Sequence, residues 1–296
     1  MKIIRARVSG FCMGVRRAVN MAYEAALLYE NVFTLGPLIH NNRVLKNLEQ
    51  KRIRVLEEDQ IRYAPKNPAV IIRAHGIPPE VEKCLVEQGL KVLDATCPHV
   101  KASQKKALEY SRKGYDVILA GDNDHAEIKG IRGYAEANLS ESKISGFCHV
   151  AGNAEEAEAV ASKLKTCRPD AKTVLIGQTT IAPEKYSEIA KHIQGRFPDL
   201  ETLDTICNST AERQNALREL CGITDAVIIA GSKESANSKN LFSLARDLGK
   251  PCWLIESVDE IPPDVFNYKT LGIAAGASAP EDLMDEIESV LMNKPH

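Results

Sequence analysis

Short apolar runs rich in β-branched residues alternate with helical patterns along this whole chain, and that alternation restricts the fold more than any other feature. The runs include "KIIRARV" (2–8), "AVIIRAH" (69–75), "LKVLDAT" (90–96), "DVILAG" (116–121), "TVLIG" (173–177), "LETLDTI" (200–206), "DAVIIAG" (225–231), "CWLIE" (252–256) and "TLGIAAG" (270–276). Between them lie stretches such as "VRRAVNMAYEAALLYE" and "PEVEKCLVEQG". In the second, Pro79 stands near the first turn and Gly89 just past the end, the positions where a helix tolerates each best. Strands alternating with helices predict an α/β protein with mainly parallel sheets.

Internal similarity predicts several small sheets rather than one large one. "LDATCPHVKASQKKALEY" (93–110) and "LDTICNSTAERQNALREL" (203–220) both read Leu-Asp, two residues, Cys, then a polar helix start. "ARVSGFCMGVRRAVNMAY" (6–23) repeats the strand–Cys–helix plan. One such cysteine occurs per domain-sized block, which predicts three similar α/β modules around a common centre. A thiol at the C-terminal end of a parallel strand faces the crevice where α/β proteins bind ligands. At a helix N-terminus the free N–H groups and the helix dipole stabilise its thiolate. Cys12, Cys97 and Cys207 have that placement. Three converging thiolates suit a metal centre: zinc with an open position, or a [4Fe–4S] cluster with one iron left for substrate.

The other five of the eight cysteines read differently. The "SGFC" of residues 9–12 recurs at 145–148, but there Asn153 caps the following helix and Glu156 completes a capping box. Cys148 therefore falls inside a strand, as a small hydrophobe. Cys84 and Cys221 have apolar neighbours at helical spacing and are expected in the core. Cys167 and Cys252 receive no role. The chain has no CxxC pair, which removes zinc-ribbon and thioredoxin signatures.

The remaining strand ends carry a second set of polar residues. They supply His40 and Asn41, then His75, then His125 and Glu127, then Thr179 and Thr180, then Ser235, Asn237 and Ser238, and finally Ser278. Glycine-rich turns with hydroxyls, amides and N–H groups at helix starts are anion sites. No GxxxxGK[ST] occurs, so nucleotide-triphosphate chemistry is not indicated. Several histidines without an arginine cluster point to a small phosphorylated ligand. Beside a metal-bound substrate, Glu127 could donate or relay protons. His99, His149, His192 and His296 lack such a context and are read as surface or structural.

Bulk properties exclude other classes. The net charge of −2 over 296 residues argues against binding nucleic acid through its backbone. No apolar run approaches the ~18 residues of a bilayer span. "MKIIRARVSG" is too short and polar for a signal peptide, and the protein is expected in the cytoplasm.

Taken together the motifs resemble the 4-hydroxy-3-methylbut-2-enyl diphosphate reductase family. The resemblance runs through "GFCMGVRRAV", "TLGPLIHN", "RAHGIPP", "DATCPHV", "GQTT", "TICNSTAERQ", "GSKESANSKNL" and "AGASAPEDL", in family order over nearly the whole chain. It implies three α/β domains in pseudo-threefold arrangement around a [4Fe–4S] cluster held by Cys12, Cys97 and Cys207. It implies a diphosphate pocket of His40, His75, His125, Ser235, Asn237 and Ser278, a substrate-hydroxyl contact at Thr179 and a proton relay at Glu127. The implied reaction is a two-electron reductive dehydroxylation giving isopentenyl and dimethylallyl diphosphates, with ferredoxin or flavodoxin as donor. The expected blocks are 1–96, 97–203 and 204–281, with 282–296 as a helix end and tail. The chain departs from the family pattern at Ala126, where proline is usual, and at Ala236, where a second serine is common. Ala126 raises the expectation of a mobile Glu127 loop. The alternative reading is a non-redox [4Fe–4S] hydro-lyase acting on a small phosphorylated alcohol; a non-catalytic iron–sulfur carrier is the third.

Overall fold

The computed structural model describes residues 1–39, 41–65, 68–137 and 146–293. In chain order, β1 (Lys2–Arg5) precedes α1 (Met13–Leu28), β2 (Val32–Leu35), α2 (Asn42–Gln50), β3 (Ile53–Leu56), β4 (Ala69–Ile72), α3 (Pro79–Glu87) and β5 (Lys91–Asp94). Helix α4 (Pro98–Arg112) leads to β6 (Asp116–Ala120), α5 (Ala126–Glu136), β7 (Cys148–Ala151), α6 (Ala154–Cys167), β8 (Thr173–Gly177), α7 (Pro183–Gln194) and β9 (Glu201–Thr202). The last part runs α8 (Asn208–Ile223), β10 (Ala226–Ala230), α9 (Ala236–Asp247), β11 (Cys252–Ile255), β12 (Thr270–Ala275) and α10 (Glu281–Asn293).

These strands build three four-stranded sheets, ordered β3-β2-β4-β5, β7-β6-β8-β9 and β1-β12-β10-β11. Every strand pair is parallel. The three orders are one order. Counted from its own first strand, each sheet runs second, first, third, fourth. The first strands are β2, β6 and β10. In the third sheet the fourth strand is β1, from the other end of the chain, where Lys2–Arg5 pairs with Thr270–Ile273.

That pairing corrects the expected blocks. The span 1–96 is not one module, because β1 completes the sheet of β10–β12. The helix end expected within 282–296 is α10. Helix α10 buries Leu283, Met284, Ile287 and Leu291 against that sheet's core. The chain forms two compact units: residues 1–23, 37–52 and 208–296, and residues 24–36 and 53–207. The sheet of β1 and β10–β12 lies in the first unit, and the other two sheets in the second.

The run pattern follows from burial on both faces. Along β10, Ala226, Ile228 and Ala230 enter one core, while Val227 and Ile229 enter another. Along β6, Ile118 and Ala120 face one core, and Val117 and Leu119 the other. A parallel sheet covered by helices reads as a continuous apolar run for this reason. Strand β2 lies where the strand end before His40 and Asn41 is expected, whereas β3 has no counterpart among the expected runs. β3 is an edge strand with an exposed middle, Ile53-Arg54-Val55-Leu56, of which only the two ends are buried. The expected 200–206 strand shortens to Glu201–Thr202, because side chains continue the pairing beyond it. The Thr205 hydroxyl accepts the Gly177 N–H at 2.8 Å, and Tyr186 Oη donates to the Leu203 carbonyl at 2.8 Å.

Candidate active site

Each of the three key cysteines follows the fourth strand of a sheet and precedes a helix. Cys97 caps α4, Cys12 stands directly before α1, and Cys207 directly before α8. Their backbone N–H groups are all spoken for, at one repeated position. Cys97 donates to the Ala74 carbonyl at 2.9 Å, Cys207 to Thr179 at 2.9 Å and Cys12 to Ala277 at 3.1 Å. Each acceptor lies two residues past the end of a third strand, β4, β8 or β12. Sheet closure thus fixes each cysteine to the mouth of its own module. None of the three is in a disulfide, and all are half-buried. The Cys12 sulfur already accepts the Val15 N–H at 3.5 Å, the contact that a thiolate at a helix start exploits.

The remaining cysteines are elsewhere. Cys148 opens strand β7, as expected, and burial pushes its thiol up to about 12. A group held protonated in this way is a poor ligand. Cys221 is buried in the core. Cys84 is not: it faces solvent from α3, since that short helix buries only Leu85. Val81 and Leu85 pack inward from the adjoining face.

The repeat also orders the polar residues. His40, His125 and Ser235 each stand five residues past a first strand; His75, Thr180 and Ser278 each stand three past a third strand. His40 lies outside the described residues. In the second unit, Glu127 is 2% exposed on the first turn of α5. It accepts the Thr179 N–H at 2.6 Å and the Thr179 hydroxyl at 2.9 Å. Burial pushes its carboxyl up to about 7, although the two Thr179 bonds oppose that shift. Thr179 in turn receives the Cys207 N–H. A titratable carboxyl is therefore two bonds from a candidate ligand.

His125 caps α5, its Nδ1 accepting the Glu127 N–H at 3.2 Å. That bond requires an unprotonated Nδ1 and leaves Nε2 as the nitrogen able to carry a proton. The His75 and His125 rings meet edge to face at 5.3 Å between centroids. Asp94, beside Cys97, sits below its ordinary value. Burial works against this, but the Thr96 and Lys101 bonds outweigh it.

In the first unit, Asn41 is buried. Its side-chain oxygen accepts the Val44 N–H that starts α2, and its amide donates to the Ser278 carbonyl at 2.9 Å. It ties the loop after β2 to the loop after β12. Ser235 caps α9, and Asn237 and Ser278 are 5% and 6% exposed. The Asn237 side-chain amide nitrogen is buried without a protein partner. A buried donor in that state costs about 1–3 kcal/mol unless something accepts from it, which suits a ligand oxygen. Asn41 was named from sequence only as part of a strand-end pair. Its signal was an N-cap pattern, Asn41 followed three residues later by Val44.

Among the described residues, no three His, Cys, Asp or Glu side chains by themselves form a metal-holding group. No helix among them is long and apolar enough to cross a membrane. The profile of the family described as LytB protein matches residues 3–292. The chain belongs to the LytB family. A Treponema denticola member, 4-hydroxy-3-methylbut-2-enyl diphosphate reductase, is 42% identical over 99% of both chains. The Aquifex aeolicus protein of the same name is 35% identical over 97% of this chain and 94% of its own. Solved LytB-type structures agree in fold. The Plasmodium falciparum E-1-hydroxy-2-methyl-but-2-enyl-4-diphosphate reductase gives a TM-score of 0.88 at 26% identity, covering 99% of this chain and 89% of that one. A second solved reductase, described as the terminal enzyme of the non-mevalonate pathway, gives 0.73 at 33% identity, covering 99% and 100%.

Proposed function

We propose that this chain reduces 4-hydroxy-3-methylbut-2-enyl diphosphate to isopentenyl and dimethylallyl diphosphates. The bonded series Glu127–Thr179–Cys207 is the observation that carries the reading. It links a buried proton carrier, raised to about 7, to the backbone of a cysteine at a strand mouth. Membership of the family and near-full-length similarity to named reductases support it.

Cys12, Cys97 and Cys207 would hold a [4Fe–4S] cluster. The residues present fit it: three soft donors outside any disulfide occupy one repeated position at helix starts, and Cys148, held protonated, does not compete. When bound, such a cluster with three protein ligands supplies electrons and an open Lewis-acid iron.

The protein's own groups do the rest. His40, His75, His125, Ser235, Asn237 and Ser278 bind the diphosphate, and the unpartnered Asn237 amide donates to one of its oxygens. Anchoring that end fixes where the alcohol lies. Thr179 contacts the substrate hydroxyl, and Glu127 delivers protons through it. In balance, the C–O bond breaks, two electrons and two protons enter, water leaves and a C–H bond forms. Protonation at either end of the allylic fragment gives the two products. A ferredoxin or flavodoxin supplies the electrons, and the protein works in the cytoplasm, where eight cysteines outside disulfides stay reduced.

Anaerobic turnover with and without reduced ferredoxin tests the proposal. Product should form only with the reduced donor. Conversion of substrate without any donor would make the protein a hydro-lyase instead.

A further inference from the structure

A glycine follows the first strand of every sheet: Gly36 after β2, Gly121 after β6 and Gly231 after β10. Only two of the three need glycine for their backbone. Gly36 and Gly231 have φ of 66° and 159°, whereas Gly121 is not in the left-handed region. What they share is a neighbour. A Cβ on Gly36 would stand 2.8 Å from Arg73 Nη1, and one on Gly121 would stand 2.7 Å from Gln178 Oε1. A Cβ on Gly231, or on Gly276 across the gap, would collide with the Ser238 hydroxyl. In each module a polar side chain fills the slot between the loop after the first strand and the loop after the third. Arg73 and Gln178 enter it from the residue just past the third strand. There the third sheet has Gly276 instead, and Ser238 reaches in from α9.

We propose that this slot is a positioning clasp for the reaction, and that Gln178 is its working member beside Glu127. Gln178 is 5% exposed. Its Oε1 accepts the Asp122 N–H at 3.1 Å, and its Nε2 donates to Thr180 Oγ1 at 3.1 Å. One bond therefore holds the loop that leads to His125 and Glu127. The other holds the loop that carries Thr179. The Glu127–Thr179 pair spans these two loops, which the Gln178 backbone also joins through its N–H to the Ala120 carbonyl at 2.8 Å; the side-chain bonds add to that hold. The side-chain bonds of Gln178 go to Asp122 and Thr180, not to Glu127 or Thr179, so it acts through position. The inference rests on the reductase reading for its chemical consequence, but not for the clasp itself.

Gln178→Met keeps the volume of the side chain and removes both bonds. Amide exchange at Asp122 should speed up about tenfold or more, while Phe147, whose N–H is held by Asp116 in the same sheet, should exchange at the wild-type rate. In the cluster-loaded enzyme kcat should fall about tenfold with KM within about twofold. The limb of the pH profile belonging to Glu127 should move to lower pH as water reaches the loosened pair. Unchanged exchange at Asp122 removes the clasp, whatever the enzyme catalyses. Faster exchange with unaltered kcat and pH profile makes Gln178 a structural bond only and overturns its part in the reaction. Failure of the wild-type enzyme to turn over would instead count against the reductase reading, while exchange would still decide whether the clasp exists.

Discussion

Glu127 is a carboxyl buried at 2% exposure, and its behaviour with pH follows from that. Between about 4.5 and about 7 the folded protein keeps a proton on Glu127 that the unfolded chain has released. Stability falls with pH wherever the native state binds more protons. The wild type should therefore lose roughly 2–3 kcal/mol of stability between pH 4.5 and pH 8 through this group. Glu127→Gln should remove that slope, seen in urea titrations at several pH values; an identical slope in both proteins would mean that Glu127 is not raised. In turnover, Glu127→Gln keeps the shape and loses the proton, so the rate should drop by about 10²–10⁴-fold with substrate still bound. His75→Ala should act on the other side of the split, weakening diphosphate binding in calorimetry while iron content stays at the wild-type level. An unchanged dissociation constant would take His75 out of the pocket.

At the scale of elements, helix starts do the positioning. Ala126 is the first residue of α5, and the residue before it has φ −68° and ψ 137°, the extended geometry that precedes proline comfortably. Glu127 is held by two bonds to Thr179 and by the His125 cap, not by the residue before it. Ala126→Pro should therefore fold, retain activity and gain about 0.4–1 kcal/mol from the stiffer unfolded chain. A loss of activity would show that the Ala126 position itself matters. Asn41 serves the same end in the first unit. Asn41→Ala removes the α2 cap and the tie to Ser278 together, and should cost about 1–3 kcal/mol in thermal unfolding.

At the scale of the whole molecule, the sequence carried the module and missed its closure. The Cys-then-helix pattern at 12, 97 and 207 was legible because strand mouths and helix starts have local chemical signatures. Membership of β1 was not, since Lys2–Arg5 finds its partner strand some 270 residues away and no short pattern encodes that pairing. The bonds from the Cys12, Cys97 and Cys207 N–H groups to Ala277, Ala74 and Thr179 were equally hidden, because backbone groups leave no trace in side-chain identity. Gln178 was hidden for a different reason. A buried glutamine between loops looks like any other, and only the glycine one residue past each first strand hinted at the slot it fills.

The central claim is that three topologically equivalent cysteines, and no others, hold one iron–sulfur cluster. Anaerobic reconstitution followed by iron and sulfide analysis tests it most directly. Wild type should take up about four irons per chain. Cys12→Ser, Cys97→Ser and Cys207→Ser should each lose most of that iron, and Cys148→Ser should keep it. Full iron in any one of the first three, or a loss in Cys148→Ser as deep as in Cys97→Ser, would contradict the account.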